Sequence, residues 1–319
     1  MVAPPALDPR ALFGLMGGDT VFGFIIGTGR CGSTLVHDLV ARHPDVGFCS
    51  NVDDRLRRPS PWARWNGPIY RGVPPALTRK GRVRFAPSEG YRILHRRVSP
   101  AIVAPCRDLV ASDATPWLAE RFARFFRQQA ERQGRPVFLH KFTGWPRVGF
   151  IEAALPGSRF VHVVRDGRAV ANSLVQMPWW DGFGGPARWS WGPLSPEELA
   201  TWEASGRSFA VLAGLQWRLL MAAFEEAKAA VPPDRWHEVR YEDIIADPRG
   251  RIEEILRFLG LSWSPSFERQ FRRYTFEPAR TDAYRRELTE GDVRTLEAIL
   301  GEHLARFGYP VAERLGTST

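Results

Sequence analysis

The 319-residue chain is long enough to bury one large core or two modest ones, and a single α/β domain with insertions is the simplest expectation. No span approaches the ~18 apolar residues of a membrane helix, and the N-terminus lacks a charged, apolar and small-residue signal, so a cytoplasmic protein is expected. Cys31, Cys49 and Cys106 are odd in number and form no C-x-x-C, which suggests neither a disulfide framework nor a zinc site. The net charge of +9 favours anionic ligands or acidic surfaces; it is carried almost wholly by arginine, with lysine only at Lys80, Lys141 and Lys228.

Met1 to Gly18, rich in proline and glycine, is expected to pack loosely and is assigned no function. The stretch VFGFIIGTGRCGSTLV, Val21 to Val36, reads as a phosphate cradle. Phe22 to Ile26 has the length and apolar content of a buried parallel strand. Gly27, Gly29 and Gly32 let the backbone turn and aim N–H groups at an anion, and a helix from about Ser33 adds its positive end. In nucleoside triphosphate loops, G-x-x-x-x-G-K-[ST], a lysine reaches the terminal phosphates. Here Ser33 stands in the lysine's place and Arg30 supplies the cation from inside the loop. That argues against ATP or GTP hydrolysis and suits a single phosphate, with an ordinary tight turn as the alternative.

Thr34 to Arg42 reads as a short helix stopped by His43-Pro44, and Val46 to Cys49 as a second strand. The loop Ser50 to Asp54 follows. Ligands collect at the C-terminal ends of parallel strands, so Asp53 and Asp54 are candidate acid/base residues; the alternative is a solvated aspartate pair capping a turn. Arg55 to Arg97 carries eleven arginines and Lys80 against one acid, Glu89, within an insertion reaching to about residue 110. It is either a basic lip for an anionic acceptor, acidic partner or membrane surface, or a solvated irregular excursion, and the lack of helical periodicity favours the latter.

Thr115-Pro116 starts a helix expected to run to Gln133, and Pro136 to His140 is a short strand ending on His140-Lys141, where a proton acceptor and an anion-stabilising cation would be useful. Ser158 to Val164 is the next strand; it discharges into Arg165-Asp166-Gly167, with Ser173 two helical turns on. Met177 to Trp202 holds five tryptophans and reads as an acceptor lid or a satellite core. Ser195-Pro196-Glu197-Glu198 is a capping box opening a helical region to Ala230, bent at Gly206 or Gly214. Trp236 to Arg240 is the last strand, Asp247-Pro248 opens an amphipathic helix, and Val293 to Phe307 forms a final helix. Together these predict one α/β domain: a central parallel sheet with helices on both faces.

Three segments, GTGRCGSTLV, RDGRAVANS and RYEDIIADPRGRIEEILRFLGL, resemble in order and spacing those of sulfotransferases that use phosphoadenosine phosphosulfate (PAPS), which share a P-loop-like architecture. The ending Arg306-Phe307-Gly308-Tyr309 is similar to bacterial and tyrosylprotein-type branches. The resemblance implies that Gly29, Arg30, Cys31, Gly32, Ser33 and Thr34 hold the 5′-phosphosulfate, Arg165 and Ser173 the 3′-phosphate, and Tyr241 the adenine, with Arg285 or Arg286 reaching the nucleotide. It makes Arg30 and Lys141 catalytic cations and favours Asp53 as base, with Asp54 and His140 behind it. The implied reaction is in-line sulfuryl transfer to a hydroxyl or amine acceptor, leaving 3′,5′-bisphosphoadenosine, with no metal and no nucleic acid partner. The basic insertion and the tryptophan segment would choose the acceptor. Two other readings are a kinase or nucleotide hydrolase on the same scaffold and a non-catalytic nucleotide or anion binder.

Overall fold

The computed structural model describes residues 20–56, 60–73 and 85–311. The N-terminal stretch and Arg57, Arg58, Arg79, Lys80, Arg82 and Arg84 of the basic run lie outside the described residues. Five parallel strands form one sheet in the order β2-β3-β1-β4-β5: β1 Val21–Gly27, β2 Val46–Phe48, β3 Val137–Thr143, β4 Arg159–Val164 and β5 Trp236–Arg240. The chain runs from β1 outward to β2, returns to β3, and crosses over β1 to β4. The C-terminal end of β1 is therefore the switch point at which parallel sheets open a crevice for ligands. No helix among the described residues is long and apolar enough to cross a membrane.

Strand alternation sorts the core into two layers. One face of β1 carries Phe24, whose ring lies 6.0 Å from Phe142 on β3 and 5.9 Å from Phe160 on β4, and is covered by the helix Pro116–Gln133 through Phe122 and Phe126. The other face, with Ile25, Leu139 and Val161, packs on the helices Ser33–Val40 and Pro248–Phe258 through Val36, Leu39, Ile252 and Ile255. Full burial of such side chains contributes about 1.5–3 kcal/mol each, enough to fix the register on which every site residue depends.

Several local expectations change. The helical region before Ala230 is two helices, Pro196–Ala204 and Phe209–Ala229, because Gly206 and Arg207 both take positive φ (68° and 61°) and end the first. Gly214 does not bend the second; it makes room for Leu296, whose Cδ2 would stand 2.3 Å from an added Cβ. The final helix begins earlier, at Glu290, where Thr289 caps Asp292 N. Thr115 makes no side-chain cap for its helix. The described parts of the basic insertion are not a solvated excursion: they hold the short helices Asn66–Gly72, Tyr91–Arg97 and Pro100–Val103, and Tyr70, Ile93, Leu94 and Ile102 are fully buried.

Ser50 to Asp54 is not a loop but the start of a helix, Asn51–Arg55, with Ser50 and Asp53 closing a capping box. Asp53 Oδ2 accepts from Ser50 N (2.9 Å), Ser50 Oγ (2.7 Å) and Asn66 Nδ2 (2.6 Å), and the residue is 1% exposed. Asp53→Ala leaves those buried donors without an acceptor, and we expect a stability loss of about 1–3 kcal/mol in chemical denaturation, with nucleotide affinity of the folded protein unchanged.

Candidate active site

At the end of β1 the backbone enters a left-handed run: Gly29, Arg30 and Gly32 have φ of 82°, 54° and 93°. Arg30 is a non-glycine residue in that region, a local strain that clusters at ligand-binding turns. Gly32 caps the helix Ser33–Val40 with no side-chain bond, leaving its first N–H groups facing the turn. A Cβ on Gly32 would lie 2.3 Å from the Tyr241 ring, so the tyrosine fills the space a side chain would need. Cys31 points the other way, fully buried against Gly27, and is absent from the cavity wall.

Three guanidinium groups gather over this loop. Arg165, leaving β4, donates to the carbonyls of Arg30 and Arg280 (2.9 Å each) and lies 4.7 Å over the Tyr241 ring. It is 8% exposed, lines the cavity, and its Nε–H has no partner. Arg30 Nε donates to Ser173 Oγ at 2.9 Å, so Ser173 holds the arginine without itself lining the cavity. The Arg30 guanidinium is pushed below the ordinary arginine range, first by loss of water and then by Arg165 and Arg280. A partly desolvated cation facing two like charges forms a site that an anion would relieve.

Opposite the loop, Lys141 Nζ donates to Thr34 Oγ1 (2.7 Å) and pairs with Glu89 Oε1 (2.6 Å). Thr143 Oγ1 donates to the other Glu89 oxygen at 3.3 Å and shares a hydrogen bond with Tyr91 at 3.0 Å. Burial alone would raise the Glu89 carboxyl, but the charge and hydrogen bond of Lys141, with the Tyr91 hydroxyl, hold it below its usual range.

Not every residue singled out from sequence reaches this place. Asp53 is the helix cap described above, and Asp54 Oδ1 accepts from Ile93 N (2.9 Å), fixing the start of the helix Tyr91–Arg97. His140 does not end its strand, because β3 continues to Thr143. Alternation then sends His140 into the phenylalanine layer, 5.1 Å from Phe126 and 4.7 Å from Phe142, while Lys141 faces the loop. Burial pushes the His140 imidazole down to about 3, so it is neutral near pH 7. Arg285 and Arg286 are absent from the cavity wall, and Arg285 lies over Tyr284; the C-terminal arginine that lines the cavity is Arg280. Sequence reasoning passed over Glu89, although it is the one acid in a run of twelve cations and so carried a signal.

Loop, arginines and the lysine–glutamate pair share one cavity of about 1080 Å³. The same cavity is also walled by Trp145, Trp179, Trp180, Trp191, Met177 and Val103. Trp180 and Trp189 are buried in the same core cluster as Phe24, and Trp180 also lines the cavity, so these parts of the tryptophan segment join the main core rather than forming a satellite. Among the described residues no group of three or more His, Cys, Asp or Glu could hold a metal ion.

A family model described as "Sulfotransferase family" matches residues 24–265, more than half of the chain. The chain belongs to the sulfotransferase family. Curated relatives are the omega-hydroxy-beta-dihydromenaquinone-9 sulfotransferases Stf3 of Mycobacterium bovis and Mycobacterium tuberculosis, each 25% identical over 194 residues. The match covers 58% of this chain and 44% of theirs, so this sulfotransferase-family chain spans less than half the length of the curated relatives it matches. Among solved structures, sulfotransferase STF9 of Mycobacterium avium superposes with a TM-score of 0.56 at 14% identity, covering 95% of this chain and 82% of that one. STF1 of Mycobacterium tuberculosis gives 0.53 at 17%, covering 90% and 78%. At such identities they show the fold, which is the P-loop-like parallel sheet of the family.

The lowered Glu89 carboxyl has a defined pH signature. It binds fewer protons folded than unfolded, so its stabilisation is in place above the ordinary carboxylate range and is lost as pH falls through the lowered value. Melting temperature measured from about pH 7 to pH 3 should fall less steeply below about pH 4.5 in Glu89→Gln than in the parent.

Proposed function

We propose that the protein transfers a sulfuryl group from PAPS to an acceptor hydroxyl. The observation that carries this reading is that Arg165, buried and with an unpartnered Nε–H, lines the same cavity as the left-handed loop and the Lys141–Glu89 pair. Three mutually repelling arginines suit a nucleotide with phosphates at two positions better than a single phosphate. Bound there, PAPS would supply a sulfuryl group on a phosphate leaving group. Arg165 and Arg280 would hold the 3′-phosphate, the loop from Gly29 to Thr34 the 5′ side, and Tyr241 the base edge of the crevice.

Lys141 is placed, through Thr34, beside the turn where negative charge would develop on a leaving phosphate. Glu89 takes the role of base in place of Asp53. It is ionised at neutral pH, its second oxygen is oriented by Thr143, and it lines the cavity that the loop and the tryptophans share. When Lys141 turns from Glu89 to an anion in the loop, the carboxylate loses the charge that weakens it as a base. Proton acceptance and charge neutralisation are thereby coupled through one ion pair. The names of the curated relatives record a hydroxylated menaquinone, which supports a hydroxyl over an amine as acceptor. Free thiols at Cys31, Cys49 and Cys106 suit a reducing compartment, so we place the reaction in the cytoplasm.

Two measurements test the reading. 3′,5′-Bisphosphoadenosine should raise the melting temperature without magnesium, and Arg165→Ala should weaken that ligand at least about tenfold more than ADP. Stabilisation by magnesium-ATP alone would make a kinase the better reading. Glu89→Gln should lower kcat by about 10²–10⁴-fold while leaving bisphosphate affinity in place; an unchanged kcat would remove Glu89 as base.

A further inference from the structure

The basic insertion carries a charge that the cavity does not use. Arg55 to Arg97 holds twelve cations against the single acid Glu89, a surplus of eleven in a chain whose net charge is +9, so the remainder of the chain is slightly acidic. Glu89 itself lines the cavity and pairs with Lys141, which leaves no acid of this run to offset its arginines at the surface. Arg55, Arg64, Arg92 and Arg96 are exposed.

Carbon is exposed beside that charge. A 3₁₀ turn, Ala63–Trp65, runs straight into the helix Asn66–Gly72. The inner stripe of this unit, Ala63, Asn66, Gly67 and Tyr70, is buried. The Tyr70 ring meets Phe48 of β2 edge-on at 5.5 Å, and Asn66 Nδ2 donates to the Phe48 carbonyl (3.1 Å) as well as to Asp53. The outer stripe is apolar too. Trp62, Trp65 and Ile69 follow one another at three and four residues, the spacings that share one side of a 3₁₀ turn and of an α-helix, and they are 66%, 46% and 44% exposed. A surface helix buries one apolar stripe and turns polar residues outward; a second apolar stripe, rimmed by charge, marks a contact surface.

The adjoining helix extends the patch. Val52 and Leu56, four residues apart on and just after Asn51–Arg55, are also exposed. The bond from Asn66 to Asp53 ties the two helices together, and Arg96 donates to the carbonyls of Asp54 and Leu56 (2.9 Å each), neutral acceptors that leave its charge uncompensated. Five of the eleven large apolar side chains that stand exposed among the described residues thus fall between positions 52 and 69, within or next to the most basic run of the chain.

We propose that this patch docks the protein on the surface of an anionic lipid bilayer. Indole rings settle at the level of the headgroups, where the ring meets carbon and the N–H meets water, and arginines beside them meet the headgroup phosphates. Arg64, whose guanidinium lies 5.6 Å from the Trp65 ring centre, puts both chemistries at one spot. An acidic protein would answer the charge, but it would have to offer a matching pocket to each of three side chains projecting from one stripe; a bilayer yields to any outline. The contact is peripheral, with side chains entering the headgroup layer, since no helix among the described residues is long and apolar enough to cross. Nothing in this inference depends on the nucleotide or on sulfuryl transfer.

Cosedimentation with vesicles tests it, using the full chain with phosphatidylcholine alone and with equal parts of phosphatidylcholine and phosphatidylglycerol. The parent should bind the mixed vesicles and leave the neutral ones largely unoccupied. Trp62→Ser with Trp65→Ser, on the outer stripe only, should keep the parent's melting temperature and weaken binding at least about tenfold. Arg64→Gln should weaken it about fivefold, the scale of one basic residue at an anionic surface. A parent that ignores the mixed vesicles, or binds both kinds equally, overturns the proposal. Undiminished binding by the double tryptophan variant overturns it as well, because a contact made by charge alone is what a surface for an acidic protein would show. If the double variant does not fold, the parent is placed on mixed vesicles whose phosphatidylcholine carries bromine high in its acyl chains: docking predicts quenching of tryptophan fluorescence relative to unbrominated vesicles, and unchanged emission would refute it.

Discussion

Positive charge held without a counter-charge at the end of β1 is the constraint on which the site depends. Arg165 is anchored by two backbone carbonyls and an aromatic face rather than by a carboxylate, so no counter-charge meets it, and its Nε–H has no partner. Its neighbour Arg168, three residues on, shows the contrast: paired with Asp166 and Glu297, it is neutralised and serves the packing of the final helix. Two arginines in one short motif thus have opposite duties, and the difference lies wholly in what accepts their hydrogen bonds. Neutral acceptors satisfy the geometry of a guanidinium and leave its field intact.

The second constraint is the parity of β3. Successive side chains face opposite sides of a sheet, so His140 and Lys141 cannot both meet the loop. Register with β1 pairs His140 with Phe24 and Lys141 with Ile25. The histidine enters the aromatic layer, where desolvation keeps it neutral, and the lysine meets Thr34 and Glu89. The insertion supplies Glu89 from the far side. Its helices are held down by Asp54, Arg147 and a buried patch around Tyr70, so a segment that is basic in composition delivers the acid the lysine needs.

Sequence determined the parts governed by local rules. The strand, glycine turn and helix of Val21 to Val36 were legible because a buried apolar run and glycines at fixed spacing leave the backbone few alternatives, and β5 was placed at its observed bounds. Three separated motifs in the right order identified the family, and the missing loop lysine set it apart from nucleoside triphosphate enzymes. Tertiary structure decided which charged residues act together. Asp53 stood at a plausible strand end, yet Ser50, three residues before it, and the distant Asn66 take its carboxylate as a cap. Glu89 and Lys141 lie 52 residues apart and meet only because the insertion folds back over β3. Arg280, not Arg285 or Arg286, reaches the cavity because a short turn around Pro278–Arg280 brings its backbone to Arg165. Hydrogen-bond partners at long sequence separation are set by packing, and no local pattern encodes them.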